Sequence, residues 1–104
     1  MDRGIVTEYE NNCIFCGRPT EAEHHLVFGH GFRNLAEEDG LKIPVCNNCH
    51  NMNGGTGQLH NNIIAERLSK IAGQLAFEKR CVASGRTEEE AREEFRKRYG
   101  RSYL

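Results

Sequence analysis

Apolar positions fall into two regimes along the chain. Up to about residue 58 they come in short clusters between glycines, cysteines and polar residues; from Leu59 they recur at helical spacing. Residues 1–12 show no period and read as a loose lead-in. Glu23 to Phe28 reads as a short strand, broken by Gly29 and Gly31, which permit unusual backbone angles. Asn34 to Asp39 is polar and suits one helical turn, ended by Gly40. Leu41 to Val45 reads as the return strand, with Pro44 on an edge because it cannot donate to a ladder. Residues 51–57 hold three glycines and read as a loop or a frayed helix start.

Beyond that point Ile64, Leu68, Ile71 and Leu75 recur at steps of four, three and four, the period of one helical face, with Arg67, Lys70, Gln74 and Glu78 between them. This predicts a helix from Leu59 to Cys81, with Gly85 available to end it. Thr87 followed by Glu90 is a capping-box pattern. It predicts a second helix from Glu88 to Tyr99, with Arg96, Lys97 and Arg98 in the last turn, where cations complement the helix dipole.

The chain has 104 residues, 38% hydrophobic and 28% charged. That is one domain's worth, with an apolar share lean enough that a cross-link or a metal would help. No apolar run approaches the ~18 residues of a membrane span. Met1 to Gly4 lacks the apolar stretch of a secretion signal, so the expectation is a reducing cytoplasm, where paired cysteines read as metal ligands rather than disulfides. Net charge is −1, unevenly spread. Residues 1–60 carry four basic and eight acidic side chains, residues 61–104 ten and seven. An acidic first half argues against strong DNA affinity of its own.

Cys13-x2-Cys16 and Cys46-x2-Cys49 repeat one spacing across 29 intervening residues. Each pair brings two sulfurs to one ion, and four complete a tetrahedron, a closed structural site with no position left for water. Bound zinc would add folding free energy to a small core. Four unrelated buried cysteines, or a redox-active pair, are the alternatives; two pairs bracketing a hairpin fit metal better. Cys81 reads as an ordinary small core residue.

Five histidines add chemistry. His24 and His25 adjoin on a strand, so their side chains point to opposite sides and cannot share one role. One can face a metal while the other faces water or substrate. His50 follows the last cysteine of the second knuckle, and together with His24 could build a second, open metal site. The alternative for each is a surface or structural residue, a reading that suits a lone histidine better than this patterned trio. His60, at the predicted helix start, is a candidate third ligand, a phosphate contact or a packing residue. His30, between two glycines, reads as loop surface. Arg33 and Lys42 flank the hairpin and are candidate phosphate contacts. Arg96, Lys97, Arg98 and Arg101 form the densest basic run, which suits either a DNA backbone or a solvated helix end.

Cys13-x2-Cys16, Glu23-His24-His25-Leu26 and Val45-Cys46-x2-Cys49-His50 together resemble the HNH endonucleases of the ββα-metal type. More narrowly, they resemble the small phage-encoded HNH proteins with a four-cysteine zinc. The resemblance spans Cys13 to His60. It implies a small α+β fold, in which a zinc-stabilised, treble-clef-like ββα-metal core at 13–60 is followed by two C-terminal α-helices at 61–104, all in one domain. It further implies that His24 and His50 bind one catalytic divalent ion (Mg2+, Mn2+, Ni2+ or Zn2+) and that His25 is the general base. The products would carry a 5′-phosphate and a 3′-hydroxyl. The family's middle Asn has no counterpart at residues 39–43; Asn34 is the nearest candidate for its bracing role. DNA is the expected partner, with a homodimer where both strands are cut, and no membrane or small organic cofactor. A phage-encoded chain would act in the cytoplasm of its bacterial host.

An imidazole can take a proton from water near neutral pH, and a divalent ion can hold a phosphate and stabilise a leaving oxyanion. The competing expectation is a non-catalytic zinc module that binds DNA or a protein; such a module has no need of His24, His25 and His50 together.

Overall fold

The computed structural model describes residues 4–29, 31–50 and 59–104. Strand β1 (Ala22–His25) pairs antiparallel with β2 (Lys42–Val45), and helix α1 (Phe32–Asp39) lies between them in the chain. A short helix α2 (Asn47–His50), a 3-10 turn at Leu59–Asn61, and helices α3 (Ile63–Ala83) and α4 (Glu88–Tyr99) follow. This is a small α+β fold with a two-stranded hairpin, four clustered cysteines and two C-terminal helices, consistent with a zinc-stabilised ββα core. No helix among the described residues is long and apolar enough to cross a membrane.

The elements follow from local chemistry. α1 is two turns rather than one. It is bracketed by Gly31 (φ 83°) and Gly40 (φ 73°), left-handed positions that suit glycine, and the Gly40 N–H closes the helix onto Ala36 and Glu37 carbonyls. α3 starts at Ile63 rather than Leu59 because Asn62 caps it, accepting from the N–H groups of Ile64 and Ala65. α4 carries the expected capping box: Thr87 accepts from the Glu90 N–H, and Glu90 accepts from the Thr87 N–H. The lead-in is not loose throughout. Ile5 donates its N–H to the Gly40 carbonyl, and Ile5 and Val6 pack on the core.

One buried cluster joins both halves, running from Cys13, Leu26, Val27, Ile43 and Val45 through Leu41 and Leu59 to Phe95 and Tyr99. α4 is tied to α1 by polar contacts as well, since the Tyr99 hydroxyl and Arg98 Nε both donate to Asp39 Oδ2 at 2.6 Å.

The predicted face of α3 is inverted. Ile64, Leu68 and Leu75 are 66%, 58% and 53% exposed, whereas Ser69, Gly73, Gln74, Glu78 and Cys81 are buried. The reason is distance. A Cβ at Gly73 would meet Val27 Cγ2 at 2.8 Å and Leu26 Cβ at 3.0 Å, so only a small-residue face lets α3 approach the end of β1. Buried Gln74 and Glu78 are hydrogen-bonded, to Ser102, Arg92, the Tyr103 N–H and each other. Gly73→Ala should therefore cost about 1–3 kcal/mol by overpacking, which outweighs the ~1 kcal/mol helix-propensity gain of alanine. Urea unfolding checks this, and a more stable variant would contradict the packing account.

Candidate metal centres and cleft

The two knuckles bring Cys13, Cys16, Cys46 and Cys49 together, with all four sulfurs within 4.8 Å of one another. The first knuckle is closed by the Gly17 N–H donating to the Cys13 carbonyl and by a bridge between Asn12 and Pro19; the second opens α2. Cys16 Sγ and Cys46 Sγ are 3.6 Å apart, close to the ~3.8 Å edge of a tetrahedron built on a ~2.3 Å zinc–sulfur bond. Cys13 and Cys46 are buried.

Electrostatics point the same way. Burial opposes ionisation of Cys13, but N–H groups of Cys46, Cys16 and Phe15 overcome it and bring the thiol down to about 6. Cys49 is pushed up to about 12, chiefly by its contact with Cys46 and then by burial. One thiolate forms easily and the last only with great difficulty unless a cation is present. The cluster thus fits a structural metal such as Zn2+.

A second group lies at the end of β1. The ligand nitrogens of His24, His50 and His60 are also within 4.8 Å of one another, and the three rings stand 4.8–5.1 Å apart between centroids. Alternation along β1 sends His24 and His25 to opposite faces, as the strand reading requires. His24 is buried against α3, while His25 faces α1.

Hydrogen bonds fix which nitrogens are free. The Ser69 hydroxyl gives its proton to the Leu26 carbonyl at 2.8 Å, so it accepts from His24 Nε2–H, also at 2.8 Å. That leaves the lone pair on His24 Nδ1, which lies 3.1 Å from His50 Nε2. His60 Nδ1 meets the Glu66 carboxylate at 3.2 Å, leaving its Nε2 free. Oriented imidazoles with outer hydrogen-bond partners are the usual arrangement of metal-binding histidines. Burial, with lesser contributions from His60, His50 and His25, holds His24 down to about 3, so it stays neutral well into acid. His50 is lowered for the same leading reason.

The site opens into a cleft of about 340 Å3 lined by Glu23, His24, His25, Phe28, Arg33, His50 and His60. Of the expected phosphate contacts, Arg33 is at this cleft. Lys42 is not available: it is 3% exposed and ion-paired with Glu37 at 2.7 Å and Glu23 at 3.1 Å. Opposite His25 in the ladder register, it turns to the same face and is absorbed by α1. Arg98 is likewise committed to Asp39 and Glu38, and Arg96 pairs with Glu93; Lys97 is exposed. Asn34 is exposed on α1, and among the described residues no hydrogen bond ties it to the hairpin. That face of α1 is held instead by Glu37, which bonds His25 and Lys42. Cys81 is buried, with burial raising its thiol. His30 and the loop at 51–57 lie outside the described residues.

Ser69, Glu66, Phe28 and Glu37 were not identified from the sequence. Ser69, Glu66 and Glu37 are ordinary helix residues and Phe28 follows β1; the role of each depends on a partner brought close only by folding. Comparison with protein-family models, curated proteins and solved structures finds no match for the chain.

Proposed function

We propose that this chain is a metal-dependent DNA endonuclease of the HNH type, with His25 as general base and His24, His50 and His60 as the holders of one divalent ion. The observation that carries this reading is the convergence of three imidazoles, neutral or oriented by hydrogen bonds, at one end of a cleft that also holds His25 and Arg33. When bound, such an ion supplies charge stabilisation at the phosphate and at the leaving oxygen. His24 offers Nδ1, His50 Nε2 and His60 Nε2 to it. His25 takes the proton of the attacking water at the ring nitrogen left open to the cleft. Arg33 neutralises a phosphate oxygen and helps orient the diester. The four-cysteine cluster keeps α2, and with it His50, in register with β1. Nitrogen donors favour Ni2+, Zn2+ or Mn2+ in raw affinity, with Mg2+ acting through availability.

Lys42 and Arg98 are consumed by ion pairs and the first sixty residues are acidic, which favours the second reading, a zinc module that docks on a partner without cutting. Supercoiled-plasmid nicking separates the two. The enzyme reading expects nicking with added Mn2+, Ni2+ or Mg2+, with activity lost to a chelator mild enough to leave the cysteine-bound zinc in place. Folded, zinc-loaded protein that nicks nothing under any of these ions would leave only the binding module. A homodimer would allow both strands to be cut and would compensate for the modest basic surface.

A further inference from the structure

We propose that Glu37 is a positioning residue for His25, fixing its ring and tautomer so that Nδ1 presents a lone pair to the cleft, with Lys42 holding Glu37 in turn. The inference rests on the reading of His25 as the proton acceptor.

Glu37 lies on α1, facing the strand pair. Its Oε1 meets His25 Nε2 at 2.7 Å and its Oε2 meets Lys42 Nζ at 2.7 Å. Both oxygens are thus assigned, one to each partner, and the carboxylate has little freedom to rotate. Lys42 is itself clamped, buried in the ladder opposite His25 with Glu23 at 3.1 Å on its other side. The chain of contacts runs Glu23, Lys42, Glu37, His25; its two ends, Glu23 and His25, line the cleft, and Lys42 and Glu37 lie behind it. Lys42 first, and then His25, hold the Glu37 carboxyl below its ordinary range, so it remains an acceptor. An acceptor at Nε2 requires Nε2–H, which leaves the lone pair of a neutral ring on Nδ1. His25 lines the cleft, and Nδ1 is the ring nitrogen that Glu37 does not engage. Where the HNH pattern expects a bracing Asn, this chain uses a helix-borne carboxylate, locked by a buried lysine.

The decisive variant is Glu37→Gln. The Lys42 ammonium can only donate, so it takes the amide oxygen, and the amide NH2 then faces His25 Nε2. The ring must accept there and carry its proton on Nδ1, the wrong tautomer for a base. A reversed tautomer of this kind lowers turnover by up to ~10^4-fold. We expect kcat to fall at least ~10^2-fold while KM for plasmid DNA and the zinc content stay at parental values. The 15N spectrum of the His25 ring should exchange its protonated and unprotonated nitrogens. Glu37→Asp, which keeps the charge but shortens the reach, should recover part of kcat. Parental kcat in Glu37→Gln, or kcat and KM changing together, overturns the positioning role. The ring spectrum is read whether or not the protein cleaves DNA. Parent protein with Nε2–H on His25 but no nicking activity sinks only the endonuclease reading; parent protein that nicks DNA but carries its proton on Nδ1 sinks only this inference.

Discussion

Cys46→Ser is expected to yield a chain that neither retains zinc nor unfolds cooperatively. Cys46 is 1% exposed, lies 3.6 Å from the Cys16 sulfur, and belongs both to the metal cluster and to the buried apolar cluster. A serine hydroxyl is a far poorer zinc ligand than a thiolate. The three remaining sulfurs would be left with one easily formed thiolate and no cation to draw out the others. A structural zinc contributes on the order of 10–16 kcal/mol in small domains near neutral pH, against a total stability of about 5–15 kcal/mol for a typical fold. Losing most of that term exceeds what a lean 104-residue core can absorb. Near-ultraviolet circular dichroism and zinc content per chain provide the check. Cys81→Ala is the control: Cys81 bonds Glu94 and Arg86, not the cluster, and its removal should leave zinc content unchanged. A Cys46→Ser protein as stable as the parent would mean that the metal contributes nothing to the fold.

The second large effect follows from the proposed endonuclease function. With His25 as the proposed general base, His25→Ala should lower plasmid cleavage by ~10^2–10^4-fold, the usual contribution of such a group, or about 3–5 kcal/mol of barrier. Zinc content should not change, because His25 faces α1 rather than either metal group. Glu37 and Lys42 stay paired with each other, and Lys42 keeps Glu23, so the variant leaves no unpaired charge behind. Measured kcat at saturating DNA, with zinc content and unfolding midpoint alongside, reads the result. Parental cleavage by His25→Ala would remove His25 from the chemistry while leaving the three-imidazole site untouched.

The parts of the fold that were legible in the sequence have short-range causes. Two C-x2-C spacings, the Thr87–Glu90 capping box and the Gly40 stop of α1 each act over a few residues and lie where expected, although α1 begins at Phe32 and makes two turns, not one. The strand pair was legible too, although β1 stops at His25 because Leu26 and Val27 turn inward to meet α3. The α3 face was not. Its apolar period is real, but the side that packs is decided by clearance: Gly73 and Ser69 admit the strand end, whereas Leu68 and Leu75 could not. Long-range partners were equally invisible. Ser69 reaches His24 across 45 residues, and Glu37 reaches His25 only because α1 folds over the hairpin. Lys42 looked like a free cation beside a hairpin, and became a buried strut once the β1–β2 register placed it opposite His25. Position beside the knuckle and the HNH resemblance pointed to His24 and His50, with His60 open between three roles; which nitrogens are free depends on Ser69 and Glu66, brought close only by folding.

The central claim is that three imidazoles from three separate segments share one divalent ion beside a sulfur-bound zinc. A crystal structure of the Mn2+-soaked, zinc-loaded protein, with data collected on either side of the zinc and manganese absorption edges, tests it most directly. Two anomalous peaks per chain are expected, zinc among Cys13, Cys16, Cys46 and Cys49 and manganese within bonding distance of His24 Nδ1, His50 Nε2 and His60 Nε2. A single peak at the cysteines, with the three rings turned away from one another, would contradict it.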